Sequence, residues 1–173
     1  KEGLNGIRRR VEASLETHRG TDREEFPLNC LAALDAYKVW HRRYVNALEA
    51  HIRASEEDGV LPPCPAFEKT LQNLQRVPME PTTGFHEAVQ SLWMTFAFVR
   101  LMGNWPGMGR LDVLLGKYLE EDLTHDVLTL NEAREILAHF FIKGCEWVRV
   151  GNQGSGDAQH YQNIVLGGID ENG

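Results

Sequence analysis

The sequence is short of cysteine, of clustered positive charge and of long apolar runs, and each shortage excludes a class of protein. Only 3 cysteines occur in 173 residues, Cys30, Cys64 and Cys145, all widely spaced. An odd number without short spacing supports neither a disulfide framework nor a zinc site. A reducing cytoplasm is the expected setting. Histidines 18, 41, 51, 86, 125, 139 and 160 form no H-x-x-x-H pair and have no C-x-x-C partner, so no metal site is expected. Lys and Arg total 18 against 25 Asp and Glu, a net charge of −7. Arg8-Arg9-Arg10 and His41-Arg42-Arg43 lie inside helical patterns and read as solvated faces. Without a basic footprint, nucleic acid is not an expected partner. No apolar run reaches the roughly 18 residues of a membrane span, and no signal peptide is recognised. Phe85–Met102 comes closest, but Glu87, Gln90 and Arg100 interrupt it.

What is present is helical periodicity. Hydrophobic content of 42% and charged content of 25% suit a soluble globular chain, long enough for one domain with a core. Leu4, Ile7, Val11 and Leu15 make one apolar stripe, ended by Gly20. Pro27 suits the first turn of a second helix, which carries Leu34, Tyr37, Tyr44, Leu48 and Ile52 on one face and ends near Asp58-Gly59. Leu61–Pro65 is a proline-rich connector. Phe67, Leu71 and Leu74 mark a short third helix, stopped at Val77-Pro78. The fourth helix, from Phe85, is apolar nearly all round, so it should be buried between other elements. Three glycines and Pro106 break it over Gly103–Gly109. Leu111, Leu114, Leu115, Tyr118 and Leu119 give a fifth helix. Thr129 with Glu132 makes a capping box for the sixth, whose core face is Ala133, Ile136, Leu137, Phe140 and Phe141.

After Val150 the composition changes. Gly151–Asp157 is glycine-rich, but it follows a helix and precedes a strand, the reverse of a phosphate loop. Ile164-Val165-Leu166 reads as a buried strand of the parallel-sheet kind, ended by Gly167-Gly168. With no partner run elsewhere in the sequence, it should need neighbours outside residues 1–173.

The stretch Val77–Asp112 carries a more specific signal through Val77, Pro78, Pro81, Phe85, Glu87, Ala88, Gln90, Trp93, Gly109, Arg110 and Asp112. It resembles the "VP…P…F-x-E-A-x-Q…W" segment and "G-R-x-D" helix start of the glycyl radical enzymes, the pyruvate formate-lyase-like family. Further similar segments follow in family order. Lys1–Leu15 and Ala32–Leu48 look like the early helices. Leu128–Val148 looks like the "L-T-x-x-E-A…K" helix. Asn163–Gly173 looks like a strand with a "GG-x-D-x-x-G" exit.

The resemblance implies a mainly α-helical fragment with one C-terminal strand, part of a glycyl-radical-enzyme α/β barrel. Helices would occupy 1–150, a glycine-rich loop 151–162 and the first barrel strand 163–169. It implies an anaerobic, cytoplasmic, homodimeric enzyme when full length. That enzyme would cleave carbon–carbon, carbon–oxygen or carbon–nitrogen bonds, or decarboxylate, in a small-molecule substrate. A separate radical-SAM activating enzyme would install the glycyl radical. The radical glycine and the catalytic cysteine belong to family segments not matched here, so this chain should bind no cofactor, supply no catalytic residue and be inactive without the rest of its barrel. Cys145 lies in a helical FIKGCEW segment and reads as a small structural thiol; Cys30 and Cys64 receive no catalytic role either.

By the same resemblance, Asn104 and Trp105 take the place of pocket-lining residues, and Tyr161 and Gln162 are a second pair of substrate-binding candidates. Asn104 offers hydrogen bonds and Trp105 a flat apolar wall. The alternative for the first pair is a tight interhelical turn with Trp105 tucked into the core. Gly107-Met108-Gly109-Arg110 departs from the serine-bearing loop of members that act on hydroxylated substrates. Arg110 and Asp112 read as structural, Asp112 favouring the helix N-terminus. A rival to the enzyme as a whole is a non-enzymatic all-α scaffold or protein-binding module.

Overall fold

A computed structural model describes residues 2–58, 64–101, 107–144 and 164–169. The chain forms two compact units, Lys1–Thr82 and Thr83–Gly173.

The first unit contains α1 (Gly3–His18), α2 (Glu25–Asp58) and α3 (Pro65–Arg76). Both α1 and α3 pack on α2. Pro27 sits in the first turn of α2, where a missing N–H leaves no helical bond unmade. The expected face of α2 is largely correct: Tyr37 is buried and Leu34, Leu48 and Ile52 are half-buried. Tyr44 is instead exposed, its ring tilted against Trp40 with centroids 4.7 Å apart. The buried residue one turn after Tyr37 is His41.

The chain leaving α3 caps α1. The first N–H groups of any helix lack intrahelical acceptors. Here Leu4 and Asn5 donate theirs to the carbonyls of Pro78 and Met79, at 2.9 and 3.0 Å. The Asn5 side chain adds a bond to Glu80 Oε1 at 2.7 Å. Gly3 makes this approach possible: a Cβ there would lie 2.3 Å from the Met79 carbonyl oxygen, and its φ is +65°.

His41 Nε2 donates to the Val77 carbonyl at 3.1 Å, joining the centre of α2 to the end of α3. Burial lowers its pKa, and the nearby carbonyls of Val77 and Leu74 oppose that shift only in part. The folded unit therefore binds a proton at His41 more weakly than the unfolded chain does. The stabilisation is complete above the usual pKa of about 6.5 and declines as pH falls below it. Hydrogen exchange across α2 and α3 in the full-length protein, corrected for intrinsic rates, checks this. Protection should drop between about pH 7.5 and about pH 5.5 in the wild type and change less in His41→Gln. Equal slopes would remove His41 as the cause.

The second unit contains α4 (Phe85–Arg100), β1 (Gly109–Arg110), α5 (Leu111–Thr124), α6 (Leu130–Gly144) and β2 (Ile164–Val165). As its all-round apolarity requires, α4 is the central element. It buries Phe85, Ala88, Val89, Met94, Phe96 and Ala97, and packs on both α5 and α6. Leu111 and Leu115 of α5 and Ala133 and Phe140 of α6 complete the core. The Trp93 ring meets Phe140 edge-on, centroids 5.8 Å apart. The capping box of α6 is present: Thr129 N–H and Oγ1 donate to Glu132 Oε2 at 2.6 and 2.7 Å, and Glu132 N–H returns a bond to Thr129 Oγ1 at 3.2 Å. Phe141 and Leu114, expected on core faces, are 45% and 46% exposed. The apolar stripes of α5 and α6 are wider than the surface that α4 covers.

The expectation for the C-terminal strand needs correction. Ile164 pairs with Gly109 and Val165 with Arg110 in a parallel ladder, so β2 has a partner inside the sequence. That partner is a Gly-Arg dipeptide with no β-forming side chain, which is why periodicity does not reveal it. Within residues 1–173, Val165 is 49% and Leu166 70% exposed.

Candidate functional site

The described residues that converge from distant parts of the second unit lie around the β1–β2 ladder. The segment Gly107–Asp112 connects α4 to α5. Met108 anchors it by burying its side chain in the core cluster, against which Ile164 also packs. Gly109 follows with φ +72°, a backbone turn that glycine takes without strain. Arg110 lies in β1, and Asp112 falls in the first turn of α5, where the helix dipole favours a carboxylate.

Arg110 and Asp112 form a bidentate pair. Nε donates to Oδ1 at 2.8 Å and Nη2 to Oδ2 at 2.6 Å. The same Oδ2 accepts the N–H of Gly167 at 3.2 Å, from just beyond β2. The Arg110 guanidinium holds the Asp112 carboxyl well below the usual carboxylate range, and backbone N–H groups of Val113 and Gly167 add to the effect. Gly167 and Gly168 have φ of +76° and +115°. That turn brings the strand exit against the ion pair so closely that a Cβ on Gly168 would sit 3.1 Å from Arg110 Nη1.

In a parallel pair both strands start at one end and finish at the other. The Arg110–Asp112–Gly167 cluster closes the finishing end. At the starting end, Met108 and Ile164 share the core cluster. The four substrate-binding candidates, Asn104, Trp105, Tyr161 and Gln162, lie outside the described residues, as does Cys145. Each pair precedes one of these two strands in sequence, Asn104 and Trp105 before β1 and Tyr161 and Gln162 before β2. Periodicity does not reveal the contact of Asp112 with Gly167. The usable signals are the R-x-D spacing at a helix start and the paired glycines after a strand.

Cys30 is half-buried on α2 and Cys64 is exposed at the start of α3. Among the described residues no cluster of His, Cys, Asp and Glu has the arrangement of a metal site, and no helix is long and apolar enough to cross a membrane.

A sequence profile described as "Pyruvate formate lyase-like" matches residues 1–173. The chain is 28% identical over 146 residues to the isethionate sulfite-lyase of Nitratidesulfovibrio vulgaris, covering 78% of this chain and 17% of that enzyme. It is 30% identical over 164 residues to the indoleacetate decarboxylase of Tractidigestivibacter scatoligenes, covering 86% of this chain and 17% of that enzyme. A solved structure concerned with 1,2-propanediol dehydration in Roseburia inulinivorans superposes with a TM-score of 0.70 at 25% identity, over 82% of this chain and 18% of the other. The chain thus spans less than a quarter of the length of these relatives.

Proposed function

Since the chain belongs to the pyruvate formate lyase-like family of glycyl radical enzymes, we propose that it forms part of an anaerobic, cytoplasmic enzyme that breaks a bond in a small organic substrate by radical chemistry. Its relatives are named as a sulfite-lyase and a decarboxylase, and its structural neighbour as acting in diol dehydration. These names support decarboxylation and carbon–oxygen cleavage. The sulfite-lyase adds carbon–sulfur cleavage to the set drawn from sequence. The glycyl radical, installed by a radical-SAM activating enzyme, supplies hydrogen-atom abstraction in the complete enzyme, which works as a homodimer.

In this reading no radical step is routed through residues 1–173, whose part is to build one wall of the substrate site. Asn104 and Trp105, ahead of β1, and Tyr161 and Gln162, ahead of β2, face the substrate in this reading. The observation that carries it is the parallel register of Gly109 with Ile164, which makes the two strands begin at the same end.

The test is anaerobic activation of the full-length protein, followed by electron paramagnetic resonance and a turnover screen against isethionate, indoleacetate and 1,2-propanediol. A glycyl doublet and turnover of a small organic substrate are expected from the full-length protein, and no doublet from residues 1–173 alone. Absence of both in the full-length protein would sink the enzyme reading. A doublet from the 173-residue chain would place the radical inside it.

A further inference from the structure

We propose that His41 is a proton-sensitive latch that holds the start of α1 in place near neutral pH and releases it in acid, acting through residues 77–80. The inference goes beyond the proposed function and does not depend on it, since every group involved lies in the first unit. The segment leaving α3 is bonded from three sides. On α3, Val77 N–H donates to the Asn73 carbonyl at 2.8 Å and Glu80 N–H to the Arg76 carbonyl at 2.9 Å. On α2, His41 Nε2 donates to the Val77 carbonyl at 3.1 Å. On α1, Leu4 and Asn5 donate their N–H groups to the carbonyls of Pro78 and Met79. The three carbonyls of Val77, Pro78 and Met79 are consecutive, so whatever fixes the first also places the two that cap α1. Val77 is 0% exposed and His41 6%. Histidine is the side chain whose ordinary titration falls near neutral pH.

Protonation does not remove the Nε2 donor. It puts a cation where water is excluded. The groups that act on the ring are the carbonyls of Val77 and Leu74, and no carboxylate is among them. On its own helix Tyr37 is buried one turn earlier, while Lys38 and Arg42 are exposed. On α3, Arg76 is exposed and donates to the Pro81 carbonyl at 3.2 Å. On α1, Arg8 is paired with Asp35 of α2. None of these neutralises an imidazolium, and a buried cation without a counter-charge is costly. Turning the ring towards water relieves that cost, and the Val77 carbonyl then loses its donor. Residues 77–80 loosen on the side of α2, and the two carbonyls that cap α1 loosen with them. The size of the effect follows from linkage. With the ring neutral while closed and at its ordinary pKa when open, acid raises the opening constant by roughly a tenth at about pH 7.5 and by up to roughly tenfold at about pH 5.5.

The experiment reads the amides of Leu4 and Asn5 in the full-length protein by hydrogen exchange, corrected for intrinsic rates. Between about pH 7.5 and about pH 5.5 both should lose protection by up to roughly tenfold in the wild type, and regain it when the pH is restored. His41→Gln, whose side-chain amide donates without taking up a charge, should abolish most of that acid effect. His41→Phe, which has no donor, should leave Leu4 and Asn5 poorly protected at both pH values. If the phenylalanine variant fails to fold, the wild type and His41→Gln decide the matter between them. Glu80→Gln is the control for the exposed carboxylate that holds the Asn5 side chain, and it should keep the acid effect of the wild type. Protection at Leu4 and Asn5 that holds at the lower pH while α2 and α3 loosen would overturn the coupling to α1. An equal acid effect in His41→Gln would overturn His41 as the latch, and an effect lost in Glu80→Gln would move the sensor to that carboxylate. None of these readings uses radical content or turnover, so failure of the enzyme reading and failure of the latch are told apart.

Discussion

Phe85→Ala is expected to lower the stability of the second unit by about 3–5 kcal/mol, the usual range for truncating a fully buried phenylalanine. Phe85 is 1% exposed and opens the most apolar helix of the chain. Its ring belongs to a cluster drawn from α4, α5 and α6, so the loss touches three helices at once. Collapse around the cavity is restricted, because the backbone at this point is itself tied down. Gly84, at the N-cap of α4, has no side chain to cap the helix. The cap comes from α5 instead, where Asp122 Oδ2 accepts the Phe85 N–H at 2.7 Å. A smaller loss of volume should be milder, so Phe85→Leu is expected to fall well short of the alanine variant. Hydrogen exchange in α4 to α6 of the full-length protein, with and without denaturant, reads the difference locally. An alanine variant with under about 1 kcal/mol of loss would mean that this cluster is not the core of the unit.

The second large effect concerns function. With Asn104 lining the proposed pocket, Asn104→Ala should reduce kcat/KM for the converted substrate by about 5- to 150-fold, equal to the roughly 1–3 kcal/mol of an orienting hydrogen bond whose partner is left unpaired. Trp105→Ala should enlarge the site and change which of isethionate, indoleacetate and 1,2-propanediol react. Core packing makes the opposite forecast for the same variant, a stability loss of ~3–5 kcal/mol with the substrate profile unaltered. Melting temperature and substrate profile measured on one set of purified variants separate the two. Stability loss alone would retire Asn104 and Trp105 as pocket residues and leave the turn as scaffold.

The helices were legible because helical burial repeats every three to four residues, and α2 and α6 each carry such a stripe with a recognisable start, Pro27 for one and Thr129 with Glu132 for the other. Glu132 was legible because its partner Thr129 is 3 residues away. What the sequence concealed shares one property, distance along the chain. Asp122 caps a helix that begins 37 residues earlier. His41 bonds to a carbonyl 36 residues later. The strand Gly109–Arg110 is defined by pairing alone, since neither residue favours extended structure by itself. At the site, Arg110 and Asp112 were recognisable as a helix start, but not as the contact point for Gly167. The family motif reached further than periodicity could, because it carries long-range packing in compressed form.

Distance also orders events at the ribosome. Arg110 and Asp112 are made 55 residues before Gly167 completes their cluster, counting from Asp112. At about 5–20 residues per second, that is an interval of roughly 3–11 s during which β1 has no strand to pair with. A bare strand edge is a template for the wrong neighbour, another nascent chain included. The arginine and aspartate are two residues apart and can engage each other at once. Throughout that interval the edge is short, interrupted by glycine and flanked by a closed ion pair, a poor surface for a stranger to extend. The pair that later receives the Gly167 N–H is thus local enough to form before that residue emerges.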